Sequence, residues 1–182
     1  GRRMAEFLWI FWSFSLLGWV LERLFAAVTR SPRRRRRCLL LLPLCPVYGL
    51  GMAAVLALPP SLRSGWPLYI WGCLTATAVE YIYHWWGETF LGVSFWDYTG
   101  VFGNLRGRVC LPFSLAWGLL LFPAVYLVTP PVLALADRVP VGVTWWMLLA
   151  FTADAVCSLR FLAVTHDLEA MRAAVWPVSG DR

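Results

Sequence analysis

The sequence predicts an all-α integral membrane protein, a single bundle of about five transmembrane helices that takes up the whole chain. Composition is the first observation behind this prediction. Of the 182 residues, 60% are hydrophobic and 14% are charged, whereas a soluble domain is about 25% charged. The second observation is that five apolar stretches reach the roughly 20 residues that a helix needs to cross a bilayer. They lie at about residues 7–28, 38–58, 67–86, 112–129 and 141–164.

The distribution of arginine predicts the orientation of the bundle. All sixteen basic residues are arginine, and twelve of them follow the first and third stretches or lie towards the C-terminus. Because cytoplasmic loops are enriched in positive charge, we expect the N-terminus outside a cell membrane and the C-terminus in the cytoplasm. The net charge of +6 is therefore interpreted as a topology signal and not as nucleic-acid binding. The five arginines at positions 33–37 set topology in this interpretation, and contact with anionic lipid headgroups is the alternative.

The first stretch predicts a membrane helix and not a cleaved signal peptide. Its apolar run is too long for a signal peptide, and no small-residue cleavage site follows it.

The second stretch is interrupted by Pro46, which cannot donate a backbone hydrogen bond and disfavours helical geometry at Cys45. A helix from Pro46 to Leu58 would be about 20 Å long, too short to span. Residues 39–45 are therefore either a broken or extended segment at membrane depth or part of a simple proline kink.

The third stretch carries a polar stripe on one helix face. Its members are spaced by three or four residues, which is helical spacing: Cys73, Thr77, Glu80, His84 and Glu88. An ionisable group at bilayer depth usually marks a functional site or a buried partner. Glu80, His84 and Glu88 could in principle bind a metal. His84 lies beside Trp85 and Trp86 near the interface, however, so we expect neither a metal nor another cofactor.

The segment between the third and fourth stretches, residues 87–111, is long, aromatic and rich in glycine. A flexible linker would be polar, so this loop is expected to pack against the bundle or to enter the inner interface. An ion pair between Asp97 and an arginine would anchor it. Alternatively, Arg106 or Arg108 could turn inward and meet Glu22 or Glu80.

The last two stretches complete the bundle. Pro123 is expected to kink the fourth helix, and Gly18 and Gly118 to allow close helix packing. Residues 165–182 are expected to form a cytoplasmic amphipathic tail that turns onto the inner membrane surface.

The five cysteines show no metal-binding spacing, and most lie near the reducing cytosol, so we predict no disulfide.

Three carboxylates are predicted at one depth. Glu22 lies 15 residues into the first helix, and Glu80 and Asp154 each lie 13 residues into theirs. At 1.5 Å per residue, each is about 20–22 Å from the outer surface. The sequence therefore predicts a polar cavity in the cytoplasmic half of the bilayer.

Several segments resemble one known family. The resemblance is carried by the following segments: Ser15 to Glu22, Leu44 to Gly51, Glu80-Tyr81, Trp96-Asp97-Tyr98, Asn104 to Leu111, Ser114 and Trp117-Gly118. Their order and spacing, over roughly residues 7 to 160, resemble those of the CmpB-like (type IV) ABC-transporter permease family. The resemblance implies a multi-pass membrane protein connected with transport. The sequence holds no Gly-x-x-x-x-Gly-Lys-Ser/Thr motif, so ATP hydrolysis would require a partner subunit.

Three functions follow as hypotheses. The first is a permease-type protein, not an enzyme, whose substrate-binding residues are Glu22, Tyr48, Glu80, Asp97, Asn104, Arg108 and Asp154. The acids alone would suit a cation or proton, and arginines beside them would suit a zwitterionic or anionic headgroup. The second is a membrane enzyme acting on a lipid or isoprenoid. The third is an accessory subunit in which the acids only pair with arginines. Expected partners are membrane lipids, a small molecule or ion, and another copy or an ATPase subunit.

Overall fold

The computed structural model describes residues 1–29 and 38–175, and this part of the chain is all-helical. Its helices are α1 (Arg2–Thr29), α2 (Pro46–Leu56), α3 (Gly65–Trp86), α4 (Leu111–Arg138), α5 (Val141–Thr165) and α6 (Leu168–Val175). A π-helical turn, Gly87–Leu91, extends α3, and another, Ala124–Val128, lies within α4. The arginine run at positions 33–37 lies outside the described residues.

Three of these helices, α1, α4 and α5, are long and apolar enough to cross a membrane. The predicted membrane bundle is confirmed at this level. The second predicted span, residues 38–58, is not one continuous helix, because α2 contains only 11 residues and is about 16 Å long. The number of five spans stays a prediction.

The break ahead of α2 matches the first of the two alternatives that the sequence leaves open. Residues 39–45 are not helical, and Cys45 has the extended geometry expected before a proline, with φ −109° and ψ 96°. The backbone N–H of Cys45 donates to the carbonyl of Ser15 in α1 at 2.9 Å. The segment is therefore held against the bundle by its own backbone.

The prediction of no disulfide is wrong, because Cys38 and Cys45 are joined. The bent segment between them brings their Cα atoms to 4.9 Å, a separation that a disulfide requires. Both residues are buried, at 4% and 3% exposure. The sequence argument treated these cysteines as open to cytosolic reductants, and burial removes that access.

Alkylation can test this bond directly. When the denatured but unreduced protein is treated with iodoacetamide, we expect modification of Cys73, Cys110 and Cys157 only, because these three are not disulfide-bonded. After reduction all five cysteines should react. Intact-mass measurement distinguishes the two patterns, and five modifications without reduction would contradict the bond.

Glycines set the distances between the helices. A Cβ atom at Gly18 would lie 2.3 Å from the Tyr48 ring, and one at Gly118 would lie 2.3 Å from the sulfur of Cys73. The close packing expected at both glycines is therefore confirmed, for α1 on α2 and for α3 on α4. The expected distortion of α4 lies just after Pro123, where the helix widens into its π-helical turn and Thr129 Oγ1 donates to the carbonyl of Ala124.

The long loop between α3 and α4 packs against the helix bundle, which is one of the two arrangements expected from the sequence. Phe95, Trp96 and Tyr98 are buried in the same apolar cluster as Phe11 and Trp12 of α1. The cluster also takes in two residues from the start of the predicted tail: Leu168 and Met171 of α6. These two side chains therefore contact the protein core and not a membrane surface.

Candidate functional site

A cavity of about 300 Å³ lies between α1, α2, α3 and α4. Its walls are almost wholly apolar, with side chains such as Phe14, Val47 and Leu121 from three different helices. The polar lining residues are Tyr48, Glu80 and Trp117. This cavity is thus apolar with a polar end, and the polar cavity expected in the cytoplasmic half of the bilayer stays a prediction.

Two hydrogen-bonded pairs form this polar end. The Tyr48 hydroxyl donates to the Glu22 carboxylate, and Trp117 Nε1 donates to Glu80 Oε2 at 2.9 Å. The Tyr48 and Trp117 rings meet edge to face, with their centroids 5.5 Å apart. Glu80 is buried, at 4% exposure. Glu22, Tyr48 and Glu80, which the sequence predicted as site residues, are therefore brought together, and Trp117 is the residue that connects them.

Gly18 positions Tyr48 in this arrangement. Because Gly18 has no side chain, the Tyr48 ring lies directly against the backbone of α1. The Glu22 carboxylate lies one helical turn further along the same face of α1, within reach of the Tyr48 hydroxyl. The short helix α2 can thus place an aromatic ring between the backbone of α1 and the Trp117 ring of α4.

Asp154 does not line the cavity. Its carboxylate oxygens accept hydrogen bonds from the backbone N–H groups of Leu41 and Leu42, at 3.0 and 2.9 Å, and from Ser158 Oγ at 2.8 Å. Asp154 is therefore not among the residues that line this cavity, and its predicted depth beside the other two acids stays a prediction. Asp154 binds the non-helical segment ahead of α2, where two backbone N–H groups would otherwise lack a helical acceptor.

Arg108 forms a different ion pair from the one expected. Its guanidinium contacts Glu88 Oε2 at 3.0 Å and the Tyr81 hydroxyl at 2.9 Å. The other oxygen of Glu88 lies 2.9 Å from Nδ1 of the buried His84. Arg108 therefore ties the loop to the end of α3 and reaches neither Asp97 nor the acids of the cavity. The hydrogen bond to the Glu88 carboxylate raises the pKa of Arg108 above its ordinary value, so the guanidinium stays charged.

Asp97 and Asn104 stabilise turns within the loop. Asp97 Oδ1 accepts hydrogen bonds from the hydroxyl and the backbone N–H of Thr99, which together lower the pKa of Asp97. The Asn104 side chain donates to the carbonyl of Val101 and accepts from the N–H of Gly107. Gly107 has φ 68°, and a Cβ atom there would lie 2.6 Å from Asp97 Oδ1. These residues shape the loop and do not reach the cavity.

The candidate metal ligands Glu80, His84 and Glu88 do not converge. Glu80 contacts Trp117, while His84 and Glu88 face the loop, where Nε2 of His84 lies 2.5 Å from the carbonyl oxygen of Trp96. Across residues 1–29 and 38–175, no three His, Cys, Asp or Glu side chains form a group that could hold a metal ion.

Sequence reasoning left Trp117 out of the predicted site. A tryptophan on an apolar helix gives no chemical signal of its own. Its only signal in the sequence was that the Trp117-Gly118 pair carries part of the family resemblance. In the structure, Gly118 lets α4 approach α3 closely enough for the indole to reach Glu80.

Comparison with known proteins confirms the resemblance that these segments carry. A family model described as "Putative ABC-transporter type IV" matches residues 9–159, which is most of the chain. No curated protein and no solved structure matches it.

Proposed function

The chain belongs to this type IV ABC-transporter family, and from that premise we propose that it is a permease-type protein that binds its substrate in the cavity between α1 and α4. The cavity is the observation that carries the proposal. It is bounded by four helices, it has about the volume of a small ligand site, and its few polar groups converge at one end.

Within this site, Glu22, Tyr48, Glu80 and Trp117 act as the polar binding group. A buried carboxylate held by an indole N–H keeps a fixed position, as a group that orients a ligand must. Asp97, Asn104, Arg108 and Asp154 act as framework residues, because their hydrogen bonds hold the loop and the segment ahead of α2.

The protein works with a partner in this proposal. Its sequence contains no lysine and therefore no phosphate-binding Gly-x-x-x-x-Gly-Lys motif, so a separate ATPase subunit supplies the energy. The protein lies in the cell membrane, with its N-terminus outside the cell and its C-terminus in the cytoplasm, as the arginine distribution favours.

Filling the cavity tests the proposal. Gly51 lines the cavity, and a Cβ atom built there meets nothing within 4 Å, so Gly51→Phe should place a ring in the cavity without a clash. We expect molecules that co-purify with the wild-type protein to fall by about tenfold or more in Gly51→Phe. Solvent extraction and mass spectrometry of the purified protein measure this loss.

Gly142→Phe is the matched control. Gly142 also has open space around a built Cβ atom, but it lies in the first turn of α5 and outside the cavity. It should retain the co-purifying molecules. Equal retention by Gly51→Phe and Gly142→Phe would mean that the cavity is not the binding site. Recovery of the molecule in chemically altered form after incubation with the protein would instead indicate an enzyme.

A further inference from the structure

We infer that the tip of the long loop, residues 102–106, binds the anionic surface of a bilayer. In this inference Phe102 and Leu105 insert among the lipids, and the Arg106 guanidinium binds a lipid phosphate. The surface lies outside the cavity, so the inference does not depend on the proposed substrate site. It adds a partner for the loop, an anionic phospholipid.

Hydrogen bonds within the loop give this loop tip a fixed shape. The backbone N–H of Leu105 donates to the carbonyl of Val109 at 3.0 Å, and the N–H of Arg108 donates to the carbonyl of Leu105 at 3.0 Å. Asn104 Nδ2 donates to the carbonyl of Val101 at 2.9 Å. The side chains at the loop tip are therefore presented by a turn that the loop itself stabilises.

The loop tip packs against the beginning of α4. A Cβ atom built at Gly103 would lie 2.8 Å from the Cβ atom of Leu111, the first residue of that helix. The 28 residues of α4 are apolar enough to span a membrane. At about 42 Å, the helix is as long as a bilayer is thick with its head groups included. The beginning of α4, and with it the loop tip, therefore lies at the level of the head groups.

Two apolar side chains of the loop tip adjoin a surface that faces lipid. Leu111, Leu115 and Leu119 are spaced by four residues and form one exposed stripe on α4. On a spanning helix such a stripe contacts lipid chains. Phe102 and Leu105 lie on either side of the contact at Leu111 and are 77% and 62% exposed. Burying a phenylalanine side chain contributes about 1.5–3 kcal/mol, so insertion beside the stripe is favourable.

Arg106 supplies the preference for an anionic lipid. Its side chain is exposed, and no carboxylate of the described residues lies within ion-pair distance of it. Its φ of 54° is left-handed, a conformation that costs most residues about 1–2 kcal/mol and that asparagine adopts more readily. The turn therefore does not explain an arginine at this position. A guanidinium at head-group level can form two parallel hydrogen bonds with a phosphate.

Photocrosslinking from the loop tip tests this inference. The full chain carries benzoylphenylalanine in place of the exposed Phe102 and is reconstituted in nanodiscs of phosphatidylcholine and phosphatidylglycerol in equal amounts. Mass spectrometry identifies the lipid in each adduct. We expect phosphatidylglycerol adducts to exceed phosphatidylcholine adducts about fivefold, which corresponds to the contribution of about 1 kcal/mol from one arginine near an anionic surface. The same photoprobe in place of Leu119 should label both lipids equally.

Three variants of the chain with the photoprobe at position 102 test the role of Arg106. Arg106→Asn removes the charge and suits the left-handed turn, so it should bring the two lipids to parity without unfolding the loop. Arg106→Lys keeps the charge and should keep most of the preference. Arg138→Asn is the matched control, because Arg138 is also exposed but lies at the opposite end of α4. It should leave the preference unchanged.

The other outcomes would overturn the inference. Equal lipid ratios with Arg106 and with Arg106→Asn would remove the anionic site. Labelling of lipid from position 119 but not from position 102 would place the loop tip in water. Adducts with a second protein, when intact membranes are irradiated, would assign the loop tip to a protein partner. None of these results bears on the cavity, which the co-purification test with Gly51→Phe and Gly142→Phe addresses separately.

Discussion

Replacing Gly49 by alanine is expected to destabilise the protein by about 2 kcal/mol or more, whereas the same change at Gly51 should be neutral or slightly stabilising. A Cβ atom at Gly49 would lie 2.5 Å from the backbone oxygen of Phe11 and 2.4 Å from Ser15 Oγ. Backbone cannot rotate away as a side chain can, so α1 and α2 would have to separate. Gly51, half a turn later, has nothing within 4 Å of a built Cβ atom.

The measurement is the unfolding temperature of the two variants in the same detergent. For a chain of this size, about 2 kcal/mol corresponds to a fall of about 4–8 °C in Gly49→Ala. Gly51→Ala has the same helix and the same added atom, so it controls for helix propensity and for expression. Equal unfolding temperatures would contradict the close approach of α1 and α2 and, with it, the position of Tyr48 beside Glu22.

The fold class could be read from the sequence because it depends on composition and length. An apolar chain with few charges must satisfy its backbone hydrogen bonds internally, and helices do this within one segment. The break before Pro46 was one of two alternatives that the sequence left open, because a proline constrains the residue ahead of it whatever the tertiary structure.

The site was only partly predictable, because depth along a helix does not give the direction in which a side chain points. The depth argument grouped Glu22, Glu80 and Asp154. Glu22 and Glu80 approach the cavity end, whereas Asp154 turns to the backbone of Leu41 and Leu42. The direction depends on how α5 packs, and the apolar pattern of a membrane helix carries little information about that.

The loop posed a different difficulty. Arg108 pairs with Glu88, a residue that the sequence analysis considered as part of the polar stripe and not as a partner for an arginine of the loop. An irregular segment has no period from which contacts can be derived, so the partner of a loop arginine can be found only once the loop is folded. The Cys38–Cys45 bond was missed for another reason, because the prediction depended on access of cytosolic reductants, and the burial of these two cysteines is known only from the folded chain.

Removing the Asp154 carboxylate should produce the second large effect, and a graded series can show why. In Asp154→Ala the N–H groups of Leu41 and Leu42 lose their acceptors, at a cost of about 1–3 kcal/mol each. Asp154→Asn keeps one acceptor oxygen but turns an NH₂ group towards the second N–H, so its unfolding temperature should lie between those of the wild type and the alanine variant.

The readout must separate a framework role from a ligand role. We expect hydrogen exchange at the amides of Leu41 and Leu42 to accelerate in the order wild type, asparagine, alanine. Asp137→Asn is the control, because Asp137 forms an exposed pair with Arg2 whose loss should change stability little. If Asp154→Asn instead lost the co-purifying molecules with unchanged amide exchange, Asp154 would be a ligand contact. That result would support the predicted binding role of all three acids, because all three carboxylates would act on the bound molecule.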